Sequence, residues 1–466
     1  MQSGNTRIEN DSMGAVSVPV DAYYGAFTVR AGENFQISGQ QMPVSFERAL
    51  GQVKLASAEA NHELGHLTKD VFEGIKKACD EFIAGMYSDA FLIDIYQAGA
   101  GTSVNMNANE IIANRANELL GGGKGDYTYV NPNNDVNMSQ STNDVIPVTS
   151  RLAILQQLPL LLKALTHAYE TTDRFAQKNQ DIVKVGRTHL QDAVPITVGQ
   201  AFDSYSQALK KTKLNLETLS TELYEIGLGG TAVGTGINTH PQYQTTVTTK
   251  LSKLTGIPFT ASKNNTEMAN NMTAFLNFSS GLRALASNLI NYSEDLKLMA
   301  MGPKAGINEV LLPTVQPGSS IMPGKVNPSI LECLDMICFR VLGNDQIVNL
   351  ASHRSHFELN VYCPIIATSI LESMQILTNG LEMFAEKCLQ DLHLNQEIVE
   401  TTFEKSLAVG TALAPHLGYL KTAEVIKKAL AGGNSIREQV LSEGLLTEED
   451  LDIILDVARL TRPTRQ

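Results

Sequence analysis

Apolar positions recur every three to four residues along most of this chain, the spacing that lays one side of an α-helix against a core. In the first third, that period predicts helices from about Ser45 to His66, Val71 to Met86 and Asn105 to Leu120. The earlier stretch "VSVPVDAYYG" has short extended character instead. From Thr142 onward the pattern lengthens. Asp144–Gln177, Val194–Tyr224, Met268–Met301, Asn327–Ala351 and Tyr362–Leu389 each read as one helix, longer than the usual helix of a globular domain. Long helices separated by short Gly/Pro loops predict an elongated antiparallel bundle. Their sides carry more Leu, Ile, Met and Ala than one bundle can bury, so self-association is expected. Short helices follow, with Thr447 as N-cap of "LLTEEDLDIILD" ahead of acidic first-turn residues. The expected organisation is a mixed, mostly helical segment 1–140, a long-helix bundle 141–395 and a small helical domain 396–466.

Composition narrows the function classes. At 466 residues the chain exceeds one ordinary core. Its most apolar stretch, Val145 to Leu165, is interrupted by Arg151, Gln156, Gln157 and Lys163, which argues against a membrane span. The polar opening "MQSGNTRIENDSMG" lacks the apolar run of a signal peptide. Five cysteines without a C-x-x-C pair read as reduced, mostly buried thiols, so a cytoplasmic location is expected. A net charge of −13, dispersed along the chain, argues against a nucleic-acid surface. An anionic substrate would need a local positive site to override that field.

Four separated polar loops offer such sites: "GAGTSVNMNANE" (Gly99 to Glu110), "NMSQSTND" (Asn137 to Asp144), "VGRTHLQDAVP" (Val185 to Pro195) and "QPGSSIMPGKVNP" (Gln316 to Pro328). Each sets small hydroxyl or amide residues beside a helix start, where free backbone N–H groups receive anions. Two of the loops add a cation, Arg187 and Lys325. Any one of Ser141, Thr142 or Asn143 reads equally well as a simple N-cap. The four clusters together point to a pocket for a small carboxylate. His353 and His356 stand one turn apart without a carboxylate companion, so no metal site is assigned there. "GLGGTA" (Gly227 to Ala232) follows a helical pattern rather than a strand, which excludes a dinucleotide fingerprint.

"GSSIMPGKVNP" closely resembles the signature of the class II fumarase/aspartase superfamily. The resemblance extends in the family's order through "GTSVNMNANE", "SQSTND", "GRTHLQDAVP" and "GGTAVGTG", across essentially the whole chain. It implies a mainly α, three-domain subunit in a homotetramer, with a twenty-helix core and active sites each shared by three subunits. It also implies a lyase acting on a small dicarboxylate; no cofactor or metal site is assigned, and activation by a divalent cation stays open. By this resemblance Ser319 is the catalytic base, and Lys325 and Asn327 hold one substrate carboxylate. Thr188 and His189 bind the other end, His189 also serving catalysis with Glu332 as its supporting partner. Thr102, Ser103, Ser141, Thr142, Asn143 and Ser320 complete the pocket, and the Ser319 loop acts as a lid.

Within the family, hydratases usually read T-Q-[ST]-N-M-N, S-Q-S-S-N-D and Y-W-G. Thr102-Ser103-Val104-Asn105-Met106-Asn107, Ser141-Thr142-Asn143-Asp144 and Tyr23-Tyr24-Gly25 are instead similar to the aspartate ammonia-lyase branch. "GINTHPQY" and "FELNVYCP" look more like the hydratase branch, which acts on L-malate. Asn131 stands where many hydratases carry the histidine of a second anion site, and that site is not carried over. His353-Arg354-Ser355-His356 departs from both branches. A catalytically inactive helical homologue is the reading from another class. The joint presence of Ser319, Lys325, Asn327, Thr188 and His189 argues against it.

Overall fold

Helix dominates the computed structural model, which describes residues 5–463. The five long helices are Thr142–Lys178, Val198–Ser220, Thr273–Met299, Ser329–Ser352 and Cys363–Phe384. Strands are confined to four two-stranded sheets among the described residues. Residues Met1–Leu162, Leu214–Ala286 and Phe339–Leu377 make one compact unit. Lys163–Lys213, Ser287–Cys338 and Thr378–Gln466 make the other.

In the first unit, the antiparallel hairpin Thr6–Asp11 and Gly14–Pro19 precedes the helix Ala26–Asn34. Helices Val44–Glu63, Lys69–Ile83 and Thr102–Leu119 pack together, and Tyr243–Thr255 packs on the first of these. Phe46, Leu50, Val53, Phe82, Ile111 and Ile112 are fully buried there. In the second unit, Tyr205 and Tyr292 stack at 4.2 Å between ring centroids, with Phe202 and Phe384 edge-on to Tyr292. The C-terminal short helices close on their own core of Leu413, Val425, Val440 and Leu451. Thr447 caps the helix Glu448–Ile454 reciprocally with Asp450, a capping box as its position suggested.

Three boundaries differ from the periodicity, each for a local reason. Residues 194–197 are not helical but end the strand Gln191–Thr197, which pairs with Val183–Thr188. Pro195 cannot donate a helical hydrogen bond, and the helix starts only where Thr197 Oγ1 accepts from the Gln200 backbone N–H at 3.0 Å. The predicted Met268–Met301 helix is interrupted at Asn271, whose Oδ1 accepts from Thr273 N at 2.8 Å and restarts the coil. The last long helix turns from α to a single π turn over Ala385–Leu389. Among the described helices, Thr142–Lys178 is apolar and long enough to cross a membrane, yet 72% of its apolar window is buried inside the protein. Such burial is what a core helix requires.

Candidate active site

The motif residues of the first unit converge around two helix starts. Ahead of Thr102–Leu119, Ala100 (φ 60°) and Gly101 (φ 86°) turn the chain left-handed. A side chain on Gly101 would meet Ile146 at 3.1 Å, so glycine allows this close entry. Thr102 is half-buried, and Ser103 is buried with its Oγ free of any hydrogen-bond partner. One turn on, Asn105 Nδ2 donates to Thr142 Oγ1 at 3.1 Å and to Asn137 Oδ1 at 3.2 Å. Asn143 N donates to Ser141 Oγ at 3.2 Å, and Asn143 Nδ2 donates to Ala232 O at 2.8 Å. Thr102, Ser103, Ser141, Thr142 and Asn143 therefore belong to one neighbourhood, although two motifs supply them.

Beneath them lie two charged residues that sequence reasoning passed over. Asp144 is buried and accepts backbone N–H bonds from Ser141 (2.9 Å), Gly229 (3.0 Å) and Thr231 (2.8 Å). The "GLGGTA" run thus cradles a carboxylate of the protein itself. Burial pushes the Asp144 carboxyl up to about 6, against the pull of those N–H groups and of Lys54. Lys54 is fully buried, and its Nζ donates to Asn137 Oδ1 at 3.1 Å and Gln140 Oε1 at 3.0 Å. Loss of hydration drives its ammonium down to about 7, with Asp144 opposing. The detectable signal was a lysine set among Leu50, Val53, Ser57 and Ala58, on the apolar stripe of its helix.

The second unit carries the remaining motifs. Strands Val183–Thr188 and Gln191–Thr197 are joined through His189 (φ 56°) and Leu190 (φ 58°), a tight two-residue turn with both residues left-handed. Thr188 and His189 are exposed at its tip. Arg187, read as a cation for substrate, is instead committed within the chain: its Nη2 lies 2.6 Å from Glu309 Oε1. Glu309 is buried, and Lys184 Nζ lies 3.1 Å from its other oxygen while donating its hydrogen bond to Val185 O. A carboxylate so paired draws both cations away from any ligand.

The Ser319 loop follows. Ser319 is half-buried, and its Oγ accepts from Ile321 N at 3.2 Å and Met322 N at 3.0 Å. Gly318 N donates to Lys325 O at 2.9 Å, and Asn327 Nδ2 donates to Gly318 O at 2.8 Å, closing the loop on itself. A side chain on Gly318 would sit 2.4 Å from Lys325 O and 2.7 Å from Asn327 N. Ser320 and Lys325 are exposed. Glu332 is exposed in the first turn of Ser329–Ser352, and no hydrogen bond within the chain joins it to His189. His353, Arg354 and His356 are exposed in the first unit, His353 Nδ1 lying 2.6 Å from Asn349 O. Among the described residues one group could hold a metal ion, His167, Glu382 and Glu386, with His167 Nδ1 2.8 Å from Glu382 Oε2. It shares no residue with these motifs.

The fold is mainly α; one unit holds helix starts lined with hydroxyl and amide side chains, and the other holds a serine whose Oγ accepts two backbone N–H bonds. The family model described as "Lyase" matches residues 14–343, and that described as "Fumarase C C-terminus" matches residues 410–462. An aspartate ammonia-lyase of Bacillus sp is 43% identical over 459 residues, 98% of each chain. A class II fumarate hydratase of Ralstonia nicotianae is 42% identical over 448 residues, 96% of this chain and 97% of its own. The solved class II fumarase of Schistosoma mansoni superposes with a TM-score of 0.95 at 33% identity, covering 99% of this chain and all of that one. The chain belongs to the fumarase/aspartase superfamily of lyases.

Proposed function

We propose that this protein is an aspartate ammonia-lyase, converting L-aspartate reversibly to fumarate and ammonia. The observation that carries the reading is the pair of backbone N–H groups, from Ile321 and Met322, aimed at Ser319 Oγ. A serine hydroxyl becomes a base for a C–H proton only when its alkoxide is stabilised, and fixed N–H dipoles supply that. Ser319 then takes the proton from the carbon next to one carboxylate. The electron pair is held as an aci-carboxylate, and its return to carbon expels ammonia as the double bond forms. Lys325 and Asn327 stabilise the charge on that carboxylate. Thr188 and His189 bind the other end, with Glu332 supporting His189. Thr102, Ser103, Ser141, Thr142, Asn143 and Ser320 line the remaining wall.

The reading extends to a cytoplasmic homotetramer whose sites are each shared by three subunits, with segments 1–140, 141–395 and 396–466 as its functional divisions. Two observations support self-association with shared sites. Within one chain the void lined by Asn143 and Asp144 measures only about 10 Å³, about the space of one water molecule. Large apolar side chains such as Leu160, Leu214, Met336, Phe339 and Leu350 lie exposed on the long helices.

Ultraviolet absorbance of fumarate tests the activity, with purified protein given L-aspartate or L-malate. Fumarate from aspartate, absent with Ser319→Ala, is expected. Fumarate from malate alone would establish the second reading, a class II hydratase. That reading draws on "FELNVYCP" and on the 42% identity to the Ralstonia nicotianae hydratase.

A further inference from the structure

We propose that Lys54 is a positioning residue of the substrate site, holding the Thr102–Ser103 and Ser141–Asn143 segments in register through Asn137. The inference rests on the placement of those segments in the pocket proposed above. Asn137 Oδ1 is the meeting point: it accepts from Lys54 Nζ at 3.1 Å, Asn105 Nδ2 at 3.2 Å and Asn109 Nδ2 at 3.1 Å. Asn105 and Asn109 lie one turn apart on the helix that begins at Thr102, and Asn105 also reaches Thr142. Lys54 further holds Gln140, whose Nε2 donates to Val136 O and Met138 O, so the turn before Ser141 is tied down at several points. No carboxylate hydrogen-bonds to this ammonium among the described residues. Two amide oxygens take its protons, an arrangement that orders the turn rather than neutralising the charge.

The groups facing Lys54 are few: Asp144 from the helix Thr142–Lys178 and Cys79 from Lys69–Ile83. Both act at longer range than the amides. A buried amine that gave up one proton would still have two N–H groups for two acceptors. Its downward shift toward about 7 therefore leaves the clamp intact across neutral pH. A single hydrogen bond to a charged group changes an equilibrium by about tenfold or more, so the effect is measurable in substrate binding.

The test uses the full-length protein and three variants: Lys54→Met, Asn137→Ala and the double variant. Calorimetry reads the Kd for fumarate, the ligand common to both activities considered, and steady-state assays read KM and kcat for L-aspartate. Each single variant is expected to weaken fumarate binding and raise KM about tenfold, with kcat changed less. The double variant should be no worse than the worse single one, because both break one connection. If Lys54→Met fails to fold, Asn137→Ala and Asn137→Asp carry the same comparison, Asp keeping the acceptor for Lys54 and losing only the Nδ2 donation to Gln140 O at 3.3 Å, so it should bind fumarate better than Asn137→Ala. Fumarate affinity unchanged in a folded variant, or losses that multiply, would overturn the proposal. Wild-type protein that binds fumarate but leaves aspartate untouched would end the ammonia-lyase reading and leave the Lys54 result standing.

Discussion

Asp144 and Lys54 are buried with their hydrogen bonds met inside the chain, whereas Thr188, His189 and Lys325 face solvent and Ser319 sits on a loop held mainly by its own backbone. The first region has its geometry before any ligand arrives. Its cost is the burial of two opposite charges, offset by three N–H donors on one and two amide oxygens on the other. The second region keeps its chemistry accessible. On the reading proposed above, Ser319 and Lys325 must reach substrate, and a loop free of core packing can close over it. Buried support and accessible polar groups are thus built from different materials: side-chain networks in one case, glycine-shaped backbone in the other.

Changing one atom at the reactive loop should break this contrast most sharply. Ser319→Ala is expected to lower kcat by about 10³-fold while leaving the melting temperature unchanged, since Oγ supports only its own turn. Parallel kinetics and thermal scans check both halves. Asp144→Ala should do the reverse, lowering unfolding free energy by about 3 kcal/mol because three backbone N–H groups lose their buried acceptor and Lys54 loses a longer-range opposite charge. Urea unfolding at neutral pH measures it, and a change below about 1 kcal/mol would refute the structural role. Gly318→Ala sharpens the comparison from the loop side. Its methyl meets Lys325 O and Asn327 N, so the loop must shift, with kcat down about 100-fold and stability little altered.

The smallest effect concerns pH. Lys54 titrates near 7 when folded, below its ordinary 10.5, so its linked stability is present above 10.5 and is lost as pH falls through about 7. Asp144 titrates near 6, above its ordinary 3.8, so its contribution is present below 3.8 and is lost as pH rises through about 6. Wild type should accordingly lose stability relative to Lys54→Met between pH 9 and pH 6. Urea midpoints of the two proteins across that range decide it; a constant difference contradicts the assignment.

Much of this was legible from residue order. The five long helices follow from apolar spacing, since each buries a stripe and the 3.6-residue period reports it directly. The loop that bears Ser319 was equally readable as a loop, because its turn-forming residues Pro317, Gly318, Pro323 and Gly324 lie in one short stretch. The helix start at Val198 was misplaced because "AVPITV" is apolar in either period, and its pairing with Val183–Thr188 decided in favour of a strand. Arg187 was misassigned for a related reason. Its partner Glu309 lies 122 residues away, and nothing near Arg187 in the sequence announces it.

Residue order by itself determined the mainly α architecture, the family and the loop that bears Ser319, because helical period and short motifs are local properties. Tertiary structure alone decided which charges are spent inside the chain. Lys54 reaches Asn137 across 83 residues, Thr231 and Asp144 meet across 87, and His167 and Glu382 across 215. A charge is free for substrate only if folding brings no counter-charge to it, and that depends on distances in space that no local pattern encodes.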